Sequence, residues 1–162
     1  MTMIIRAATQ ADADGVWAII EPMIRAGETY ALDRDMSREQ ALAYWFSPGH
    51  AVFVAEEDGR LLGTYYMRAN QRGGGAHVAN CGYVVAPDAG GRGIARALAE
   101  HSLEEAPRRG FRAMQYNFVI SSNERAVGLW HRLGFETLCR LPQAFDHPRL
   151  GLVDALLMFR TL

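Results

Sequence analysis

The segment Ala89–Ala99, AGGRGIARALA, contains the residues whose types and spacing most clearly suggest chemistry. Three glycines, Gly90, Gly91 and Gly93, precede an apolar helical pattern, and residues without side chains let a ligand approach the backbone closely. A helix that begins after such a turn also directs unpaired N–H groups and the positive end of its dipole at one point. These features predict a phosphate-binding turn. A plain turn before a helix is the alternative that the glycines alone leave open.

Two asparagines in apolar, strand-like segments are the next candidates for chemistry. Asn117 interrupts the apolar run Met114–Ile120, and Asn80 lies in the segment VANCGYVV. A buried carboxamide is costly unless it is hydrogen-bonded, so each asparagine needs a partner, either a neighbouring loop or a bound ligand. Cys81 is interpreted as a small buried residue and not as a nucleophile, because no adjacent base is evident in the sequence.

The elements around these residues follow from the apolar periodicity. A strand over 76–85 leads into the glycine turn, a helix follows over 94–106, and a second strand covers 113–120. The order strand, helix, strand predicts a right-handed crossover that places the two strands parallel in one sheet. A further helix is predicted over 121–133, with Gly134 as its C-terminal cap.

The remaining segments complete an α/β architecture. The first half is predicted to contain a strand, a helix, a loop, a second helix and a hairpin, at 3–8, 11–25, 26–36, 37–45 and 51–56 with 61–68. Two closing strands, 135–140 and 151–162, are predicted with a long loop, LPQAFDHPRL, between them. The expected fold is one domain over residues 1–162, with a mixed, mainly antiparallel sheet of about seven strands and about four helices.

Composition limits the class of protein. A chain with 49% hydrophobic and 22% charged residues is typical of a soluble globular domain, and its formal net charge of -1 supplies no basic excess for a nucleic acid. No apolar run approaches the roughly 18 residues that cross a bilayer, and no apolar signal core begins the chain. Two cysteines without paired spacing indicate neither a disulfide framework nor a metal site. We therefore expect a reduced, cytoplasmic compartment and no nucleic-acid or membrane partner, and we leave a homodimer open.

The glycine turn and a second motif together resemble the GCN5-related N-acetyltransferases (GNAT), and the element order fits that fold. The matching residues are the strand 83–87, the turn 90–95 and the later residues Asn123, Ala126, Leu129, Trp130, Leu133, Gly134 and Phe135. The resemblance implies acetyl-CoA as co-substrate and two central parallel strands that splay apart. It also implies that the CoA pyrophosphate lies on the N–H groups of Gly91–Ala95, with positive charge from Arg92 or Arg96.

The same resemblance implies roles for the strand before the turn. The backbone of Tyr83–Val85 would bind the pantetheine arm and polarise the thioester carbonyl, and Asn123 would contact the cofactor arm, cap a helix, or do both. The implied cofactor-binding residues are Tyr83, Val84, Val85, Gly90, Gly91, Arg92, Gly93, Ile94, Ala95, Arg96, Asn123 and Trp130.

Two residues depart from the family pattern. Gly90 lies where relatives usually have Gln or Arg, which predicts either weaker cofactor binding or compensation elsewhere. Trp130 lies where many relatives carry the tyrosine that protonates the departing thiolate, and an indole cannot give up a proton near neutrality. A positioned acid contributes about 100- to 10,000-fold, whereas aligning amine and thioester corresponds to effective molarities of roughly 10⁵ M or more. Loss of the tyrosine therefore does not by itself abolish catalysis.

The C-terminal half is similar to a narrower group, the yeast acetyltransferases that detoxify azetidine-2-carboxylate, a proline analogue. The similar residues are 116–119, Asn123, 129–130, 133–135 and 152–155. Tryptophan at the tyrosine position is normal in that group, and its strand asparagines contact substrate, which implies catalytic and substrate-binding roles for Asn80 and Asn117. The loop with Glu28, Thr29 and Tyr30 resembles phosphinothricin-type acetyltransferases and is expected to bind substrate.

The expected function is direct transfer of acetyl from acetyl-CoA to a small amine, either an amino acid or a proline-like analogue. The alternatives are phosphinothricin, a polyamine or a protein N-terminal amine as acceptor, and a non-catalytic acyl-CoA-binding module, which Trp130 favours. A dinucleotide oxidoreductase is rejected because the glycines do not spell GxGxxG. An arginine, Arg34 or Arg149, could meet a substrate carboxylate. The candidate proton acceptors, none with a sequence signature, are Glu28, Asp33, Asp35, His77, His147 and Asp154.

Overall fold

The structure, a computed structural model, describes residues 2–162. Within that range the strands are β1 Ile4–Ala7, β2 Ala51–Glu57, β3 Arg60–Ala69, β4 Val78–Val85, β5 Ala113–Ile120, β6 Glu136–His147 and β7 Gly151–Thr161. The α-helices of the same range are α1 Ala13–Ala26, α2 Arg38–Trp45, α3 Ile94–Arg108 and α4 Glu124–Arg132. All these strands form one sheet in the order β1-β2-β3-β4-β5-β7-β6. Only β4 and β5 run parallel among its neighbouring pairs, so the predicted mixed, mainly antiparallel sheet is confirmed.

Helices cover both faces of the sheet, as two consecutive residues of β3 demonstrate. The buried Thr64 hydroxyl accepts a hydrogen bond from Trp45 Nε1 of α2 at 3.1 Å. The next hydroxyl, that of Tyr65, lies 2.8 Å from His101 Nδ1 of α3. Because successive side chains of a strand point to opposite faces, α2 lies on one face of the sheet and α3 on the other. No helix of residues 2–162 combines the length and apolarity needed to cross a membrane.

Local sequence signals explain the boundaries of the hairpin and of α2. Asp58 and Gly59 have φ of 53° and 77°, which is the primed turn that matches the twist of the β2–β3 hairpin. Ser37 Oγ accepts a bond from the Gln40 N–H at 3.1 Å, and Gln40 Oε1 accepts one from the Ser37 N–H at 2.9 Å. This capping box begins α2, and both predictions are confirmed.

β4 and β5 separate after a short parallel ladder. Their residues are paired only at Val78 with Ala113 and at Ala79 with Met114, although both strands continue well beyond this point. On its other side, β5 carries a register shift against β7 between residues 116 and 119. A bulge bends its strand, and here it accompanies the departure of β5 from β4. The result is a gap between β4 and β5 in the middle of the sheet, on the side where β4 leads toward α3.

The segment 141–150, predicted as a loop, is mostly strand. β6 extends through most of the segment and leaves a short turn before β7. The segment contains two prolines, Pro142 and Pro148, but Pro142 lies in the edge strand β6, whose register against β7 shifts between Leu141 and Phe145. A proline without an N–H is tolerated at such a bulge, so the two closing strands form a long hairpin instead of two strands joined by a loop.

α3 also extends further than predicted. The sequence predicts an end at Ala106, before Pro107, but the helix continues to Arg108. The proline lies in the last turn, where the missing N–H removes a single bond from the end of the helix. The Arg109 N–H then donates to the carbonyls of Glu105 and Ala106 at 3.2 Å and 3.1 Å and closes the turn.

Candidate active site

A cavity of about 330 Å³ lies where β4 and β5 separate. The loop between α1 and α2, Tyr44 of α2, the strands β3, β4 and β5, and α4 with its N-cap form its walls. The predicted site residues that line it are Thr29, Tyr30, Asn80, Tyr83, Asn117, Asn123 and Trp130. The glycine turn lies outside the cavity, at the N-terminus of α3.

The ladder between β3 and β4 determines which backbone groups face the gap. Its flanking bonds join the Asn70 N–H to the Val78 carbonyl and the Ala86 N–H to the Leu62 carbonyl, each at 2.8 Å. Because hydrogen-bonded pairs alternate along an antiparallel ladder, the even-numbered residues of β4 turn their backbone groups toward β3. The odd-numbered residues turn theirs toward β5, and beyond Ala79 they face the gap.

Because of this alternation, not all of the predicted cofactor-binding residues of β4 face the gap with their backbone groups. Tyr83 and Val85 direct their backbone groups into the gap. Val84 is paired with Thr64 of β3, so the backbone contact predicted for Val84 is corrected: its N–H and carbonyl are already used in the sheet. The Tyr83 carbonyl accepts a hydrogen bond from the Tyr30 hydroxyl at 3.1 Å, which brings the loop after α1 over β4.

Asn80 joins β4 to β5 at the point where their ladder ends. Its Nδ2 donates to the Gln115 carbonyl at 2.9 Å, and the residue is only 7% exposed. The side chain thus adds one bond to the ladder beyond Ala79 and satisfies a carbonyl that the divergence would otherwise leave without a partner. Within residues 2–162, no group donates a hydrogen bond to Asn80 Oδ1, which remains available to a ligand.

Asn117 lies at the β5 register shift and is held by two side chains. Its Nδ2 donates to Asn70 Oδ1 at 2.7 Å, and its Oδ1 accepts a bond from Gln115 Nε2 at 2.9 Å. Both strand asparagines therefore have the protein partner that burial requires. A carboxamide has two N–H groups and two lone pairs on its oxygen, so Asn117 keeps one donor and one acceptor for a ligand.

The glycine turn has the geometry of an anion site. Gly91 and Gly93 have φ of 76° and 73°, in the left-handed region that favours glycine, whereas Gly90 has an ordinary φ of −65°. Gly93 is the N-cap of α3 and has no side chain to satisfy the first turn. The first N–H with a helical partner is that of Ala97, which donates to the Gly93 carbonyl at 3.0 Å. The preceding N–H groups, those of Ile94, Ala95 and Arg96, point out of the helix end.

Both predicted phosphate-binding arginines are engaged with carboxylates. Arg92 Nη2 lies 2.7 Å from Glu57 Oε2, and Arg96 Nε lies 2.8 Å from Glu100 Oε1. All four side chains are at least partly exposed, and ion pairs of this kind contribute little to stability. An anion at the helix N-terminus could therefore replace either carboxylate at small cost.

Trp130 packs in an aromatic cluster on the α3 face of the sheet. Its ring centroid lies 5.1 Å from that of Tyr83 and 4.8 Å from that of Tyr116. The Tyr83 hydroxyl lies 2.7 Å from Ser102 Oγ and 2.8 Å from the Tyr116 hydroxyl, and Ser102 donates its own proton to the Ala99 carbonyl at 2.6 Å. Burial raises the pKa of both tyrosines well above the ordinary value for tyrosine, which makes each of them a weaker acid.

Asn123 is the N-cap residue of α4, but its side chain makes no capping hydrogen bond. The carboxamide lines the cavity instead. Of the two roles that the sequence left open, the structure shows the backbone position of a cap and leaves the side chain free for a ligand.

The loop between α1 and α2 is fastened across the cavity. Glu28 Oε1 accepts a hydrogen bond from Arg149 Nε at 2.9 Å, which links this loop to the turn between β6 and β7. Tyr30 reaches β4, as described above, because Gly82 leaves room for it. A Cβ at Gly82 would lie 2.5 Å from the Tyr66 ring and 2.9 Å from the Tyr30 hydroxyl. Thr29 and Tyr30 thus line the cavity, and Glu28 lies at its rim.

None of the predicted proton acceptors is among the described residues that line the cavity. Asp154 accepts bonds from the Gln143 N–H at 2.9 Å and from Arg140 Nη1 at 2.6 Å, and these contacts lower its pKa. His147 is buried, and its Nδ1 accepts from two backbone N–H groups of the following turn. The other candidates are exposed or ion-paired: Glu28, Asp33, Asp35 and His77. Among residues 2–162, the cavity lining contains neither a carboxylate nor an imidazole.

The cation that lines the cavity is Arg68, which the sequence analysis missed. Arg34 donates through Nε to a backbone carbonyl of α1 at 2.8 Å, and Arg149 is paired at the rim, so neither predicted arginine enters the cavity. The sequence contains only part of the signal, namely the spacing of Arg68 along its strand. Along β3, Arg68 follows Tyr66 at the spacing of one strand face, which is the face that α2 covers.

Cys81 is a buried residue of the cavity wall, and desolvation raises the pKa of its thiol to about 12. Cys139 is exposed. Because the thiolate is the reactive form, we expect one thiol of the native chain to react quickly with a chromogenic disulfide reagent at pH 8 and the other to react only after unfolding. The Cys139→Ser variant should lose the fast phase. A fast phase that persists in this variant would show that Cys81 is accessible and reactive.

Comparisons with known proteins agree with this geometry. The family model described as Acetyltransferase (GNAT) family matches residues 17–135. A GCN5-related N-acetyltransferase from Kribbella flavida superposes with a TM-score of 0.95 at 40% identity, covering 99% of this chain and 98% of that one. The yncA protein from Salmonella typhimurium, solved with its cofactor acetyl-CoA, superposes with a TM-score of 0.87 at 26% identity, covering 100% and 95%.

A curated relative extends the comparison to sequence. N-acetyltransferase aca1 from Schizosaccharomyces pombe is 34% identical over 128 residues, which cover 69% of this chain and 61% of the relative. The match therefore spans about three fifths of the yeast protein. It agrees with the narrower resemblance to yeast acetyltransferases, as the family model agrees with the wider one. The chain belongs to the acetyltransferase (GNAT) family.

Proposed function

We propose that the chain is an acetyl-CoA-dependent N-acetyltransferase that moves an acetyl group directly to a small amine, either an amino acid or a proline-like analogue. One observation carries the proposal. The gap between the parallel strands β4 and β5 exposes the odd-numbered backbone groups of β4, and that strand leads into the glycine turn and the uncapped N-terminus of α3. A long ligand with an anionic end and an amide-containing arm fits this path.

The cofactor occupies that path from the turn to the cavity. Its pyrophosphate accepts hydrogen bonds from the free N–H groups at the start of α3, and Arg92 or Arg96 exchanges its carboxylate partner for a phosphate. The pantetheine arm follows β4 and contacts the free carboxamide of Asn123. The Salmonella typhimurium relative, solved with acetyl-CoA, supports this choice of cofactor.

The reaction is an acyl transfer without a covalent enzyme intermediate. The neutral amine attacks the acetyl carbon, an N–H of β4 that faces the gap stabilises the developing oxyanion, and the C–S bond breaks to release CoA. An amine with pKa near 10 is only about one thousandth neutral at pH 7. Walls without a carboxylate disfavour the ammonium form, and the proton leaves through water. Trp130 can donate a hydrogen bond to the departing thiolate but cannot protonate it.

The test is acetyl-CoA turnover with a panel of amines: azetidine-2-carboxylate, proline, phosphinothricin, a polyamine and a peptide with a free N-terminus. Released thiol and the mass of the N-acetylated product are measured together, so that hydrolysis is distinguished from transfer. We expect transfer to at least one small amino acid or proline analogue. A panel in which acetyl-CoA is bound but no acceptor gains the mass of N-acetylation would contradict the proposal.

A second candidate function is an acyl-CoA-binding module without turnover. Trp130 in place of an acid and the absence of a carboxylate or imidazole from the described cavity walls favour it. Calorimetry distinguishes the two candidates, because tight acetyl-CoA binding combined with no transfer to any of the amines supports the module.

A further inference from the structure

We infer that Arg68 binds an acidic group of the acceptor, so that the amine acetylated in this cavity belongs to a molecule that carries a carboxylate beside the amine. The inference rests on the proposed acetyl transfer and deepens it by naming the residue that selects the acceptor. The observation behind it is the position of Arg68 directly across from Asn80 on neighbouring strands, inside the cavity.

Register and face place the guanidinium near the reacting end of the site. Arg68 and Asn80 are Cα partners in the β3–β4 ladder, and their residue parity makes them a hydrogen-bonded pair. Side chains of such a pair stand on the same face, about 5 Å apart at Cβ. Asn80 in turn reaches β5 through its bond to the Gln115 carbonyl. Arg68 therefore lies one strand away from the gap, on the face that α2 covers.

The hydrogen-bonding capacity of Arg68 is largely unused. A guanidinium has five N–H donors, and within the described residues Arg68 makes one hydrogen bond, from Nη1 to the Ala69 carbonyl at 3.4 Å. Among residues 2–162, no carboxylate forms an ion pair with it. The arginine at the rim is different, since Arg149 is paired with Glu28. A planar guanidinium with free N–H donors in a cavity is suited to binding a carboxylate.

The charge of the cavity supports the same acceptor class. Of the described residues that line it, Arg68 alone carries a formal charge, and burial raises the pKa of Cys81 and of the lining tyrosines Tyr30 and Tyr66 and keeps them neutral. His50, stacked on Tyr66 at 4.4 Å, has its pKa lowered by burial and by the charge of Arg68. A cavity with one uncompensated positive charge attracts an anion and repels a polycation.

The position and charge of Arg68 distinguish between the candidate acceptors that the sequence left open. An α-amino acid, an imino acid such as proline, and phosphinothricin all carry an acidic group close to the amine. The strand spacing of about 5 Å allows this acidic group to contact Arg68 while the amine lies at the gap. A polyamine brings more positive charge to Arg68. A peptide N-terminus has an uncharged amide where the carboxylate would be.

The experiment compares acceptors that differ only in charge: proline with prolinamide, and alanine with alaninamide. For each acceptor, kcat/KM of the Arg68→Met variant is divided by that of the wild type, which cancels the intrinsic reactivity of each amine. We expect kcat/KM of Arg68→Met to fall on the order of 10- to 100-fold for the acids, mostly through KM, and to remain unchanged for the amides. Arg68→Lys should recover part of the activity with the acids. The control is Arg72→Met, an exposed arginine outside the cavity.

An equal loss with acids and amides, or no loss with either, would overturn the assignment of Arg68. Should the wild type acetylate none of these acceptors, the proposed function fails, and calorimetry with N-acetylproline still decides the role of Arg68. Binding that disappears in Arg68→Met but persists in Arg72→Met supports the assignment, and binding that is unchanged in Arg68→Met contradicts it. Thermal unfolding of each variant identifies a general loss of structure.

Discussion

Replacing Gly93 by alanine is expected to weaken acetyl-CoA binding roughly 10-fold, whereas the same change at Gly90 should leave the dissociation constant within about twofold. A Cβ at either position meets no atom within 4 Å, so crowding does not distinguish them. Their backbones do, because φ is 73° at Gly93 and −65° at Gly90. The left-handed conformation costs a residue with a Cβ about 1–2 kcal/mol, and tenfold in affinity corresponds to about 1.4 kcal/mol.

The reason lies in what Gly93 positions. Relaxation of its backbone toward negative φ turns the first N–H groups of α3 away from the point at which they converge. Calorimetry with acetyl-CoA measures the effect, and Gly90→Ala serves as the matched control in the same turn. Equal affinities for the two variants would show that the free helix end does not hold the cofactor. A Gly90→Gln variant, which restores a residue usual in the family, is accommodated by the same open space.

Replacing Asn80 by alanine is expected to lower both stability and turnover, while acetyl-CoA binding changes little. The variant removes the bond to the Gln115 carbonyl and leaves that acceptor unpaired where β4 and β5 separate. An unsatisfied buried acceptor costs about 1–3 kcal/mol. At a temperature where the variant is fully folded, its lower stability does not by itself reduce turnover. Turnover should nevertheless fall, because Oδ1 of Asn80 is also lost from the cavity.

Urea unfolding and steady-state kinetics measure the two effects of Asn80→Ala separately. The control is Gln71→Ala, a change at an exposed residue of the loop between β3 and β4, and it should match the wild type in both stability and turnover. A variant with unchanged stability would show that the Asn80 bond does not hold the two strands together. A destabilised variant with full turnover would assign Asn80 a structural role alone.

The sequence predicted the parts of the fold that depend on local signals. The glycine turn between a strand and a helix, the β2–β3 hairpin and the Ser37 capping box each need residues within a few positions of one another. Several predicted boundaries shift by two or more residues, and two of the shifts involve proline. Pro142 lies in an edge strand at a bulge and Pro107 in a last helical turn, and only the tertiary structure determines that a missing N–H is harmless at these places.

The candidate site was predictable where a polar residue interrupts an apolar pattern, as Asn80 and Asn117 do. Arg68 escaped prediction because its importance depends on the register of β3 against β4 and on the lack of a carboxylate partner, neither of which a linear sequence specifies. The predicted proton acceptors differ from these residues, because none of them is among the described residues that line the cavity. Their residue types were suitable, but the hairpin of β6 and β7 engages Asp154 and His147 in its own hydrogen bonds.

The most direct test of the central claim, that acetyl-CoA lies along β4 with its pyrophosphate at the start of α3, is a backbone amide NMR titration with acetyl-CoA. We predict that the largest shifts occur at the amides of residues 91–96 and at Cys81, Tyr83 and Val85, whose N–H groups face the gap. A second groove, between β1, α1 and the turn after β4, is lined by Arg6 and Arg60. Shifts concentrated in that groove, with residues 91–96 unchanged, would contradict the account.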